Sequence, residues 1–231
     1  MRSLVFNIVF WGLSALFALV CYGAAWLPRR EPLMAAINAY GHATRFCMRW
    51  VAGISVEVRG EVPRGEPVII AAKHQAYADG PLMMAFAGDL NFVIGNGIEK
   101  FPLVDRIGAI MVDAQGHARA QGALQESISR IADDHRPVLI YPEGGMAAVG
   151  VTRRYRKGVY VLYTELNRSV VPVATNLGLR WPEEEWAKHP GPAVIEFLEP
   201  IPPGLPREIF MQRLQTVIET RSRELETEGR S

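Results

Sequence analysis

Hydrophobic positions recur along this chain in three rhythms, and each predicts a different kind of element. From Leu4 to Leu27 the sequence is almost unbroken apolar residues, with Asn7 and Ser14 as minor interruptions. As a helix that run is about 36 Å long at 1.5 Å per residue, more than a hydrocarbon core of roughly 30 Å. Residues 33 to 52 predict a second helix, with Leu33, Ile37, Tyr40, Phe46, Trp50 and Val51 apolar. It is expected to lie along the membrane face, with Arg45 and Arg49 reaching lipid headgroups.

From Ser55 the rhythm shortens. Ser55 to Arg59 alternates like a half-buried strand, and Pro67 to Ala72 is a continuous apolar run rich in β-branched residues, as in a buried strand. Asn91 to Gly95, Gly108 to Val112, Pro137 to Tyr141, Val170 to Ala174 and Ala193 to Leu198 read as further strands. Helices are predicted between them: a short connection over Glu99 to Arg106, an amphipathic helix over 116 to 134 and another over 158 to 167. In the second of these Ala120, Leu124, Ile128 and Ile131 share one stripe. A last helix runs from about Arg207 to Glu228, apolar at Phe210, Leu214, Val217, Ile218 and Leu225. The Pro-rich piece from Pro200 to Pro206 is a stiff connector into it. Strands alternating with helices imply an α/β domain with a central, mainly parallel sheet flanked by helices. The expected organisation is therefore an N-terminal membrane anchor and interfacial helix, residues 1–52, followed by the α/β domain, residues 53–231.

Composition and charge narrow the picture. The 231 residues are 49% hydrophobic, and the N-terminal run supplies much of the excess. A formal charge of +1 gives no basic field, so no nucleic-acid partner is expected. Arg29, Arg30, Arg45 and Arg49 outweigh Arg2 across the apolar run, which places the α/β domain on the cytoplasmic side of the cell inner membrane. A cleaved signal peptide is the rival reading, since Gly23-Ala24-Ala25 imitates a cleavage region, but the run is long for one. Cys21 and Cys47 have no metal or redox spacing and are expected as free, buried thiols. His42, His117, His135 and His189 are scattered without ligand spacing, so no metal is implied. Gly95-Asn96-Gly97 lacks the third glycine of a dinucleotide turn, because Lys100 stands there.

The candidate chemistry lies in Lys73-His74-Gln75-Ala76-Tyr77-Ala78-Asp79-Gly80, between a buried strand and a helix opening in which Asp79 is the expected N-cap. On a continuous helix His74 and Asp79 would be about 140° apart. A tight connection instead folds the carboxylate back onto the imidazole, where it fixes the tautomer and stabilises the imidazolium. A loop histidine beside a capping aspartate is the plainer alternative.

The His-x-x-x-x-Asp spacing resembles the signature of the glycerolipid acyltransferases, whose best-known members act on 1-acylglycerol-3-phosphate. Further blocks follow in that family's order. Gly108 to Asp113 is similar to the second, Tyr141-Pro142-Glu143-Gly144-Gly145-Met146 to the third, usually Phe-Pro-Glu-Gly-Thr-Arg, and Val171-Pro172-Val173 to the fourth. Tyr155-Arg156-Lys157-Gly158 and the ending from Gly191 to Gly204 add to the likeness. The resemblance implies transfer of an acyl group from acyl-CoA or acyl carrier protein to a lysophospholipid hydroxyl, with lysophosphatidic acid the leading acceptor. No further cofactor is expected, and no covalent acyl-enzyme is needed, since the chain has no Gly-x-Ser-x-Gly elbow and neither cysteine is suitably placed. His74 would be the general base and Asp79 its orienting carboxylate, with Glu143, Gly144 and Gly145 lining the acceptor side. Two departures stand out: Ala114 and Met146 occupy positions where the family carries arginine, and Gly145 replaces its threonine. Arg153, Arg154, Arg156 and Lys157 are the candidates to supply that charge instead; a solvated or membrane-facing basic patch is the alternative. A non-catalytic lipid-binding homologue and an acyl thioesterase are the rival functions.

Overall fold

The computed structural model describes residues 1–95, 109–112, 128–129, 131–132 and 134–230. Ala114, His117, Lys100, Asn96-Gly97, the helix expected over Glu99 to Arg106 and most of that expected over 116 to 134 lie outside these residues. The described ones form a seven-stranded sheet: β1 (Ile54–Arg59), β2 (Ile69–Ala72), β3 (Asn91–Gly95), β4 (Ala109–Val112), β5 (Val138–Ile140), β6 (Val170–Thr175) and β7 (Gly191–Phe197). Their spatial order is β1-β7-β6-β2-β5-β3-β4. All neighbours pair in parallel except β6 and β7. Thus β2 is central, and the chain leaves it toward β3 on one side and returns to β6 on the other.

Strand β2 shows why the sheet needs helices on both faces. Successive side chains on a strand point to opposite sides. Ile70 and Ala72 join one core, and Ile69 and Ala71 the other. Helices α1 (Arg2–Ala25), α2 (Glu31–Cys47) and α3 (Asp79–Ala87) border the first core. Helices α4 (Gly158–Leu166) and α5 (Arg207–Arg230) close the second, through Val159, Leu162, Tyr163, Phe210, Leu214 and Ile218.

The N-terminal helix does not stand apart. Phe6 and Phe10 are buried edge-on against Trp181, at ring separations of 4.9 and 4.7 Å. Asn7 Nδ2 donates to Trp186 O at 3.0 Å, and the Ser14 and Tyr40 hydroxyls lie 2.8 Å apart. Val9, Leu13, Cys21 and Ala24 are partly buried as well, and the outer face of the helix is apolar and exposed at Leu4, Ile8, Trp11, Leu16 and Leu19.

Helix α2 departs from the expectation of one apolar face. Leu33, Met34 and Ile37 are buried, whereas Phe46 and Trp50 stand out beside Arg45 and Arg49. At about 100° per residue Phe46 is turned about 220° from Leu33, so the two belong to opposite faces. Gly41 permits the inward approach: a Cβ there would lie 2.4 Å from Pro81 O of α3. A π-helical turn, Met48–Ala52, then leads into β1.

Candidate active site

His74 leaves the C-terminal end of β2, where Lys73 N–H still bonds Val173 O at 2.9 Å. The chain turns at once. Asp79 is the first residue of α3, with Ala78 at the cap position, so its side chain caps the preceding turn and not the helix expected from the sequence. One oxygen, Oδ2, accepts Gln75 N–H at 2.7 Å, Ala76 N–H at 2.9 Å and the His74 Nδ1 hydrogen bond at 2.8 Å.

That arrangement decides the state of the ring. An ionised carboxylate can only accept, so Nδ1 carries the proton and Nε2 presents a lone pair. Among the described residues Nε2 has no partner, and the His74 side chain is 21% exposed against 3% for Asp79. Tyr141, at the end of the neighbouring β5, stacks on the imidazole with ring centres 4.1 Å apart and planes 22° from parallel. The Tyr141 hydroxyl is buried without a partner among the described residues. Burial pushes this phenol well above its usual range, and the Asp79 charge adds to the shift.

The turn after β5 reaches the histidine from the other side. Glu143 Oε1 accepts Lys73 Nζ at 2.7 Å, and Oε2 accepts His74 N–H at 3.2 Å. Its side chain is fully buried, and through these two bonds the carboxylate holds the His74 loop from behind. Burial pushes the Glu143 carboxyl up, against the opposing pull of Lys73. Ala147 N–H also bonds His74 O, at 2.8 Å.

Gly144 and Gly145 do something different. Gly144 has φ +71°, and a Cβ there would lie 2.2 Å from Arg156 Nε. A Cβ on Gly145 would lie 3.4 Å from an Arg153 guanidinium nitrogen. Two guanidinium groups thus rest on the bare backbone of the turn beside His74. Among the described residues Arg153, Arg154, Arg156 and Lys157 have no carboxylate partner, and all four are exposed. Arg154 and Lys157 make no contact with the turn of the kind that Arg153 and Arg156 make.

Sequence reasoning missed Tyr141 as a ring support, Lys73 and Gln75 as buried anchors, and Glu219 and Glu226 of α5 as their partners. The signal for the last two was present: carboxylates seven residues apart flank the apolar stripe of α5 at Ile218 and Leu225.

The chain is similar to known proteins in sequence and in fold. The lyso-ornithine lipid O-acyltransferase of Rhizobium meliloti is 26% identical over 122 residues, 52% of this chain and 37% of that protein. The 1-acyl-sn-glycerol-3-phosphate acyltransferase of Pseudomonas aeruginosa is 28% identical over 187 residues, covering 78% of this chain and 70% of that one. The crystal structure of the 1-acyl-sn-glycerophosphate acyltransferase of Thermotoga maritima shares the fold, with a TM-score of 0.76 over 97% of this chain and 98% of that one, at 20% identity. The family model described as Acyltransferase matches residues 54–176, more than half of the chain and including His74, Asp79 and Glu143, so this protein belongs to the Acyltransferase family.

Proposed function

We propose that the protein is a membrane-associated O-acyltransferase that moves a fatty acyl group from acyl-CoA or acyl carrier protein to the hydroxyl of a lysophospholipid. The observation that carries this reading is the His74 ring, locked by Asp79 at Nδ1 and open at Nε2. Nε2 takes the acceptor's hydroxyl proton as that oxygen attacks the thioester carbonyl. The tetrahedral adduct then collapses, the C–S bond breaks, and the imidazolium returns the proton to the departing thiolate. Asp79 stabilises the imidazolium in between.

The headgroup of the acceptor is read by Arg153 and Arg156. Their place against Gly144 and Gly145 supports this, because any Cβ at 144 would displace Arg156 and a Cβ at 145 would already touch Arg153. The names of the Pseudomonas and Rhizobium relatives support a lysolipid acceptor while differing in headgroup. The exposed apolar surface of α1, with Phe46 and Trp50 exposed beside Arg45 and Arg49, supports attachment to a membrane, and the excess of arginine after the apolar run supports the cytoplasmic face of the inner membrane. Because Phe6 and Phe10 dock the helix on the domain, a shallow seat in one leaflet suits it better than a free span.

The test is transfer of labelled acyl chains from acyl-CoA to a panel of lysolipids, in wild type, His74→Ala and the pair Arg153→Gln with Arg156→Gln. His74→Ala should lose about 10² to 10⁴ in kcat. The arginine pair should raise KM for lysophosphatidic acid more than for a zwitterionic lysolipid. Release of free fatty acid without transfer to any lysolipid would refute the transferase reading in favour of a thioesterase. Binding of lysolipid with neither product would leave a non-catalytic binder.

A further inference from the structure

The tripeptide Lys73-His74-Gln75 is held from behind by the last helix. In an extended segment neighbouring side chains point to opposite sides. His74 faces Asp79 and Tyr141, while Lys73 and Gln75 reach α5. Lys73 Nζ donates to Glu219 Oε1 at 2.9 Å, to Glu143 Oε1 at 2.7 Å and to Val151 O at 3.1 Å, which uses all three ammonium hydrogens. Gln75 Nε2 donates to Glu226 Oε1 at 2.8 Å, and Gln75 Oε1 accepts Gly178 N–H at 3.2 Å. Seven residues apart, Glu219 and Glu226 lie two turns along one face of α5. All four side chains are buried.

Glu219 also collects the loop between β5 and α4. It accepts the Tyr155 hydroxyl at 3.0 Å and the Thr152 hydroxyl at 2.8 Å. Glu226 accepts Gly150 N–H at 3.4 Å. The same two carboxylates therefore grip the loop that carries His74 and the loop that carries Arg153 and Arg156. Both lie beyond residue 176, where the family match ends.

We infer that Glu219 and Glu226 are positioning residues, a pair of carboxylates on α5 that fix the placement of His74 by holding its two sequence neighbours. This rests on the acyltransferase reading for the meaning of the rate, but not for the geometry. A histidine clamped on both sides keeps Nε2 aimed at one point. Displacement of a reacting group by about 1 Å costs roughly 10²-fold in rate, so a small release of either neighbour is felt in kcat.

The experiment uses the full-length chain with Glu219→Ala, Glu226→Ala, the corresponding Gln variants, and Glu208→Gln on the exposed start of α5 as control. Two readouts are taken below the melting temperature of every variant: kcat and KM, and the downfield proton resonance of the His74–Asp79 hydrogen bond, identified by its loss in Asp79→Ala. Each Ala variant should lower kcat roughly 10- to 100-fold with KM little changed, and should shift or broaden the resonance. The Gln variants keep an oxygen for the Lys73 or Gln75 donor and should recover most of both. Should Glu219→Ala fail to fold, Glu226→Ala and Gln75→Met test the other arm alone. Folded Ala variants with wild-type kcat and an unmoved resonance, whatever their melting temperature, would overturn the inference. If the wild type transfers no acyl group but the resonance still moves in the Ala variants, the acyltransferase reading fails and the positioning role stands.

Discussion

Asp79→Asn separates what the carboxylate does by charge from what it does by shape. Oδ2 accepts all three hydrogen bonds, at 2.7, 2.9 and 2.8 Å, and Oδ1 has no partner among the described residues. Asparagine will therefore seat its carbonyl oxygen where three donors converge and put its NH₂ in the place of Oδ1. The opposite orientation would aim amide hydrogens at the Gln75 and Ala76 N–H groups. The turn and the ring tautomer should survive, and the charge should be lost. Unit charges about 4 Å apart at an effective dielectric of about 20 attract by about 4 kcal/mol. The imidazole is 21% exposed, so solvent screens part of that. About 2 to 3 kcal/mol of support for the imidazolium remains, or roughly 30- to 150-fold in kcat. Asp79→Ala should fall further, to the level of His74→Ala, because it frees the ring and orphans two buried amides. The assay is kcat for acyl transfer from acyl-CoA at saturating lysolipid. Activity of Asp79→Asn within about threefold of wild type would show that the charge is not used. Activity as low as His74→Ala would show that the tautomer was lost and that the amide sits the other way.

Two further outcomes follow from the packing. Gly144→Ala meets both a left-handed φ of +71° and the Arg156 side chain; the conformation alone costs about 1 to 2 kcal/mol. The melting temperature should drop by about 2 to 8 °C, and KM for an anionic acceptor should rise as Arg156 is displaced; no change in either would refute the cradle. Phe10→Ala removes a side chain that is 3% exposed and should cost about 3 to 5 kcal/mol, seen as a lower melting temperature of the whole domain. An unchanged transition would mean that α1 separates from the domain in the membrane.

The candidate site was legible to different depths. His74 and Asp79 were readable because a buried strand, a turn and a helix start are local features, each marked by β-branched, glycine and proline residues. The strands predicted around them agree with the observed ones to within two residues at each end. Glu143 was readable as a residue of the site but not as a buried one. Its surroundings depend on Lys73, seventy positions earlier. The arginines were legible as charge, while their seat on Gly144 and Gly145 depends on how the loop after β5 folds back.

What the sequence determined by itself, among the described residues, was the strands, the helices over 158 to 166 and 207 to 228 and the closeness of His74 to Asp79, since periodicity and turn chemistry act over a few residues. The tertiary structure decided which strands are neighbours, including the antiparallel entry of β7 beside β6. It also decided that Phe6 and Phe10 belong to the main core and that four charged or polar side chains could be buried behind His74. A helical pattern shows which face of α5 turns inward, but a carboxylate on that face survives burial only if donors meet it. Those donors, Lys73 and Gln75, come from 146 and 151 residues away, and only the folded chain brings them there.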